Sequence, residues 1–129
     1  MENAGKILII DDDTVILRIV SLIMESNGYD VRTNNTGSLE SIYLKELPDL
    51  ILLDCKIGTR SGVDICSFLK HSSLTDEIPV ILLSGEPDLQ NLAEDCDADD
   101  FLAKPFDADL LLEKVKRHLH KNAKPLVSS

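Results

Sequence analysis

Along nearly the whole chain, unbroken apolar runs alternate with stretches whose apolar positions recur every three or four residues. The first unbroken run, KILIID (Lys6–Asp11), leads straight into two more aspartates, Asp12 and Asp13. DLILLD (Asp49–Asp54) and IPVILLS (Ile78–Ser84) repeat the pattern, and shorter runs at DVRTN (Asp30–Asn34) and DFLAK (Asp100–Lys104) complete a set of five. Such runs read as strands buried on both faces. The periodic stretches between them read as helices. Asp13 or Thr14 caps one that reaches about Ser26, with Gly28 as its stop. Leu39, Ile42, Tyr43 and Leu47 share one side of a second, closed by Pro48. A third runs from about Val63 to Lys70, and a short acidic one from about Leu89 to Cys96. The last starts at Asp107 and ends in KVKRHLHK, where cations complement the helix dipole. Five strand–helix repeats predict an α/β domain whose parallel sheet is covered on both faces by five helices.

In such a sheet all strands point the same way, so residues far apart in sequence meet at the C-terminal edge, where ligands bind. Asp11, Asp12 and Asp13 follow the first strand, Asp54 the third, Ser84 the fourth and Lys104 the fifth. Like charges gathered at one rim raise one another's pKa unless a cation joins them. Hard oxygen ligands with open positions suit Mg²⁺ or Mn²⁺, which bind through one or two carboxylates, waters and a substrate phosphate. An ammonium and a hydroxyl then remain for phosphoryl oxygens. Asp13 reads as a helix cap rather than a ligand.

The 129 residues suffice for one core. No apolar run approaches the ~20 residues that span a bilayer, and MENAGK has no signal-peptide character, so a cytoplasmic setting without membrane contact is expected. A net charge of −10 argues against direct nucleic-acid binding, because phosphates would be repelled. Cys55, Cys66 and Cys96 form no CxxC pair and read as reduced, buried thiols. His71, His118 and His120 show no metal-ligand spacing.

Four segments, LIIDDD, LILLDCKIGTRSG, VILLSG and FLAKPF, resemble in order and spacing the signatures of response-regulator receiver domains of two-component signalling. The likeness covers roughly residues 6–121. The Pro/Ser flavour of NAKPLVSS marks 123–129 as a flexible tail or start of a linker, and the likeness implies a flavodoxin-like, doubly wound sheet of order 2-1-3-4-5 in a domain over residues 1–122. It implies that Asp54 is the phosphoacceptor, attacking a phosphohistidine on a sensor histidine kinase or phosphotransfer protein. Asp12 would bind Mg²⁺ directly, Asp11 directly or through water, and Asp54 and the Lys56 carbonyl would complete the protein ligands. Lys104 would pair with a phosphoryl oxygen, Ser84 would swing its hydroxyl toward the phosphate, and Phe101 would be the aromatic that turns inward on activation. Lys104–Pro105 resembles the family's cis peptide. Such a domain is a switch with weak self-phosphorylation and self-dephosphorylation rather than an enzyme, and its output goes to an unspecified effector domain or partner protein.

Lys56 and Glu86 each stand two residues beyond a site residue, where a pair across the mouth would hinder the attacking water; the plainer alternative is an exposed ion pair. Two other functions compete: a receiver-like interaction module that is never phosphorylated, and a phosphatase of haloacid-dehalogenase type, in which the first aspartate of DDDTV is the nucleophile. Three departures from the receiver pattern stand out. IGTRSG replaces the frequent Met-Pro, and Gly58 loosens that turn. Asp97 stands where a glycine usually ends the helix. No basic residue lies between Glu86 and Ala103, which disfavours the salt-bridged dimer of receivers from winged-helix transcription factors.

Overall fold

The computed structural model describes residues 5–38 and 46–122. Five parallel strands form one sheet: β1 (Lys6–Ile10), β2 (Asp30–Asn34), β3 (Leu50–Asp54), β6 (Val80–Ser84) and β7 (Asp100–Ala103), in the order β2-β1-β3-β6-β7. With the small hairpin strands skipped, this is the expected 2-1-3-4-5. That hairpin, β4 (Lys56–Ile57) with β5 (Arg60–Ser61), is antiparallel and stands where only a loop was expected.

Alternation along the strands divides the core into two. Ile7 and Ile9, Leu50 and Leu52, and Ile81 and Leu83 face the helices α1 (Thr14–Glu25) and α4 (Ala108–Asn122). Leu8 and Ile10, Ile51 and Leu53, and Val80 and Leu82 face α2 (Gly62–Lys70) and α3 (Leu89–Asp95). A period of two sends successive side chains to opposite faces, so strands apolar at every position need helices on both. Each fully buried Leu or Ile contributes about 1.5–3 kcal/mol, which makes the sheet a firm mount for its rim.

The helix ends follow local chemistry. Asp13 is the N-cap of α1, its carboxylate accepting from the backbone N–H groups of Val15 and Ile16 at 2.9 and 3.3 Å. Ser61 caps α2 through Asp64 N–H. Pro79 precedes β6 and trims the expected strand to Val80–Ser84. Asp97, past α3, takes the left-handed φ of 60° that a glycine would adopt most easily. The helix expected around Leu39 and the tail at 123–129 lie outside the described residues, and four helices are seen within them. Among the described residues no helix is long and apolar enough to cross a membrane.

Candidate functional site

The strand register brings the C-terminal ends of β1, β3, β6 and β7 to one rim. Asp11, Asp12 and Asp54 each offer a carboxylate oxygen there, and the three oxygens lie within 4.8 Å of one another. Asp11 is fully buried and both its oxygens are engaged: Oδ1 accepts from Asp13 N–H at 2.9 Å, Oδ2 from Lys104 Nζ at 2.9 Å. The same ammonium stands 3.6 Å from Asp54 Oδ2. Asp12 is exposed and its Oδ2 accepts from Gly58 N–H at 2.8 Å. The Lys104–Pro105 peptide is cis.

This arrangement leaves charge unbalanced, with three carboxylates around one ammonium. Burial, and then repulsion from Asp11, push the Asp54 carboxyl up from its ordinary 3.8 to about 6; Lys104 and the Lys56 N–H offset part of this. Burial works against the charge on Lys104, but Asp11 and Asp54 outweigh it and raise its pKa. The excess of two negative charges and the all-oxygen donor set fit a hard divalent cation. A phosphatase nucleophile at Asp11 is hard to reconcile with a side chain that has no exposed surface and two committed oxygens.

Backbone packing sets the approach to Asp54. A Cβ on Gly62 would lie 1.8 Å from the Asp54 carbonyl oxygen, so only glycine lets α2 start this close to β3. The Ser84 hydroxyl is buried and accepts from Glu86 N–H at 3.0 Å, which fixes the turn after β6. Lys56 and Glu86 do form an ion pair, 2.7 Å apart, beside the rim. Both residues line a cavity of about 570 Å³ with Cys55, Arg60, Val63 and Leu92. Phe101 is half-buried, with the Lys114 ammonium 5.8 Å from its ring centre.

Two features were not anticipated. The Gly58–Asp12 hydrogen bond depends on the unforeseen hairpin, and nothing in IGTRSG signals it. Asp100 was read only as the start of a strand, yet it gathers Lys114 at 2.8 Å, His118 at 2.9 Å and Arg117 at 4.0 Å. The spacing of Lys114 and His118 by four, on one side of α4, was the available signal. The three cysteines are free and buried, as expected.

A family model described as the response regulator receiver domain matches residues 7–116. The DNA-binding dual master transcriptional regulator RpaA of Synechocystis is 36% identical over 119 residues, which cover 90% of this chain and 49% of RpaA. The phosphate regulon transcriptional regulatory protein PhoB of Pseudomonas aeruginosa is 35% identical over 121 residues, 91% of this chain and 53% of PhoB. The crystal structure of the signal receiver domain of a signal transduction histidine kinase from Syntrophus aciditrophicus superposes with a TM-score of 0.84 at 30% identity, covering 97% of this chain and 98% of that one. The chain thus spans about half the length of these curated relatives. They also correct the expectation that nucleic acid is no partner, since RpaA is named as DNA-binding. The net charge of a segment governs only what that segment's own surface attracts, and it does not exclude DNA for a protein about twice as long.

Proposed function

The chain belongs to the response regulator receiver domain family, and from that premise we propose that it is a phosphorylation-activated switch accepting a phosphoryl group on Asp54. Receiver domains of this family serve phosphorylation-based two-component signalling and are signalling modules rather than classical enzymes. The observation that carries the proposal is the rim itself: an under-compensated trio of carboxylates, one of them held up to about 6, beside a single ammonium.

The donor is a phosphohistidine on a histidine kinase or phosphotransfer protein. An Asp54 oxygen attacks phosphorus as the P–N bond breaks, and the electron pair of that bond leaves with the imidazole. With a carboxyl near 6, Asp54 is mostly ionised at neutral pH and ready to attack. Lys104 neutralises a phosphoryl oxygen and the freed carboxylate oxygen, and the Ser84 hydroxyl turns toward the phosphate. Asp11, Asp12, Asp54 and the Lys56 carbonyl are the ligands we assign to Mg²⁺, with Mn²⁺ as the alternative ion. When bound, the ion supplies charge neutralisation for the transferring group. Beside the rim, α1 leaves Val15, Ile19 and Leu22 exposed, on one side of the helix, where a protein donor would lie.

The phosphoryl group adds a charge of roughly −1.5 to −2 at neutral pH. Movement of Ser84, and of Phe101 from its half-buried position, then changes the face built from α3, β7 and α4. The Lys56–Glu86 pair stands at the mouth and slows attack by water on the aspartyl phosphate. Within this reading residues 1–122 are the receiver and 123–129 the start of a linker or tail. The test is mass spectrometry after incubation with acetyl phosphate and Mg²⁺. One phosphoryl group gained by the wild type and none by Asp54→Asn is the expected result. No gain, or a gain that survives the substitution, refutes the proposal.

A further inference from the structure

We propose that Gly58 is a positioning residue for the metal site, its backbone N–H holding Asp12 in the orientation that faces Asp11 and Asp54. This rests on the assignment of a divalent cation to those carboxylates. The contact joins the turn of the β4–β5 hairpin to the loop after β1, with Gly58 N 2.8 Å from Asp12 Oδ2 across 46 residues of sequence. Asp12 is exposed, and among the described residues Gly58 is its one hydrogen-bond partner. A free aspartate at a surface samples several rotamers and loses that freedom when it binds an ion. With one oxygen tied, the carboxylate already presents a ligand atom within 4.8 Å of those on Asp11 and Asp54.

The hairpin makes this possible. Gly58 has φ +61°, the left-handed region that side chains other than glycine enter only with strain, and a Cβ there would touch nothing within 4 Å. Backbone conformation, not crowding, is therefore what glycine supplies. Lys56, whose carbonyl is the proposed fourth protein ligand, begins the same hairpin. One two-stranded element thus serves the ion twice, by donating to Asp12 and by offering its own oxygen. A hydrogen bond to a charged group is among the stronger ones, so its removal reaches the ion's affinity even at the surface.

The experiment titrates Mg²⁺ into the 129-residue protein by calorimetry for wild type and for a semisynthetic version in which glycolic acid replaces Gly58, with folding of each checked by circular dichroism. The backbone ester has no N–H at this position, yet it keeps the freedom to adopt φ +61°, which proline, fixed near about −65°, lacks. The expected result is an affinity about tenfold weaker for the ester than for the wild type. A folded ester protein that binds Mg²⁺ like the wild type overturns the proposal while leaving the metal site intact. A wild type that binds no Mg²⁺ overturns the metal assignment and this inference with it. Should the ester protein fail to fold, hydrogen exchange decides: the Gly58 amide is expected to exchange about tenfold faster in Asp12→Ala than in wild type. Equal rates would overturn the positioning role.

Discussion

Asp54 and Asp100 are the same residue type, each about as buried as the other, at opposite ends of the sheet's strands. Asp54 closes β3 among two other aspartates and shares Lys104 with Asp11. Asp100 opens β7 and is surrounded by Lys114, His118 and Arg117, with its own chain's Phe101 N–H as a further donor at 2.8 Å. Burial alone would raise both. At Asp54 repulsion from Asp11 adds to it, and the carboxyl sits at about 6. At Asp100 the hydrogen bonds from Lys114 and His118 outweigh burial and pull the carboxyl below its usual value. At Asp100 the cations outnumber the one carboxylate, so no further cation is needed, whereas the rim holds three carboxylates with one ammonium and suits a cation that the chain does not itself provide. A deficit of cations beside acids, more than the mere presence of acids, marks where a metal ion belongs.

That contrast is broken most forcefully by neutralising each aspartate in turn. Without divalent cations, Asp54→Asn is expected to stabilise the fold at pH 7.5 by about 2–3 kcal/mol, measured by denaturant unfolding. The sign follows from the raised pKa: the folded state holds the proton more tightly, so stability is lost as pH rises from 3.8 through about 6. The gain of Asp54→Asn should therefore fade toward pH 4. Asp100→Asn is expected to do the reverse, destabilising by about 1.5–3 kcal/mol at neutral pH, because it strips the charged acceptor from the donors gathered around it. Its cost should shrink in acid, since a lowered pKa gives stability that is lost as pH falls through the folded value. Two variants with the same sign of effect at pH 7.5 would contradict the contrast.

Magnesium sharpens it next. An ion that binds only the folded state stabilises by about 2.7 kcal/mol at a hundredfold excess over its Kd, so Mg²⁺ should raise the Tm of the wild type and of Asp100→Asn but scarcely that of Asp12→Ala. The smallest effect belongs to the exposed Lys56–Glu86 pair. Lys56→Ala or Glu86→Ala is expected to speed loss of the phosphoryl group about two- to fivefold, followed by mass spectrometry, and unchanged decay would leave the pair as a surface ion pair only.

The sequence carried the sheet and the rim because both depend on local pattern, while the strand order came with the resemblance to receiver domains. Unbroken Ile and Leu runs too short for a helix and flanked by polar residues read as buried strands, and parallel strands bring Asp11, Asp54, Ser84 and Lys104 to one edge. Asp13 announced its cap by residue type. What stayed illegible depends on tertiary placement. IGTRSG reads as a loose turn, and only the fold reveals that Gly58 lies within reach of Asp12. Asp100 looks like any acid before a strand until α4 lays Lys114 and His118 beside it. The inference from net charge to partners failed for a different reason, since charge summed over a segment says nothing of a longer relative's remaining half.

The most direct measurement is a carbon-13 NMR titration that follows the Asp54 side-chain carboxyl with EDTA and then with millimolar Mg²⁺. The predicted midpoint is about 6 without metal, moving to lower pH once a cation offsets the repulsion from Asp11. An Asp54 that titrates like an ordinary surface aspartate and ignores Mg²⁺ would contradict the account.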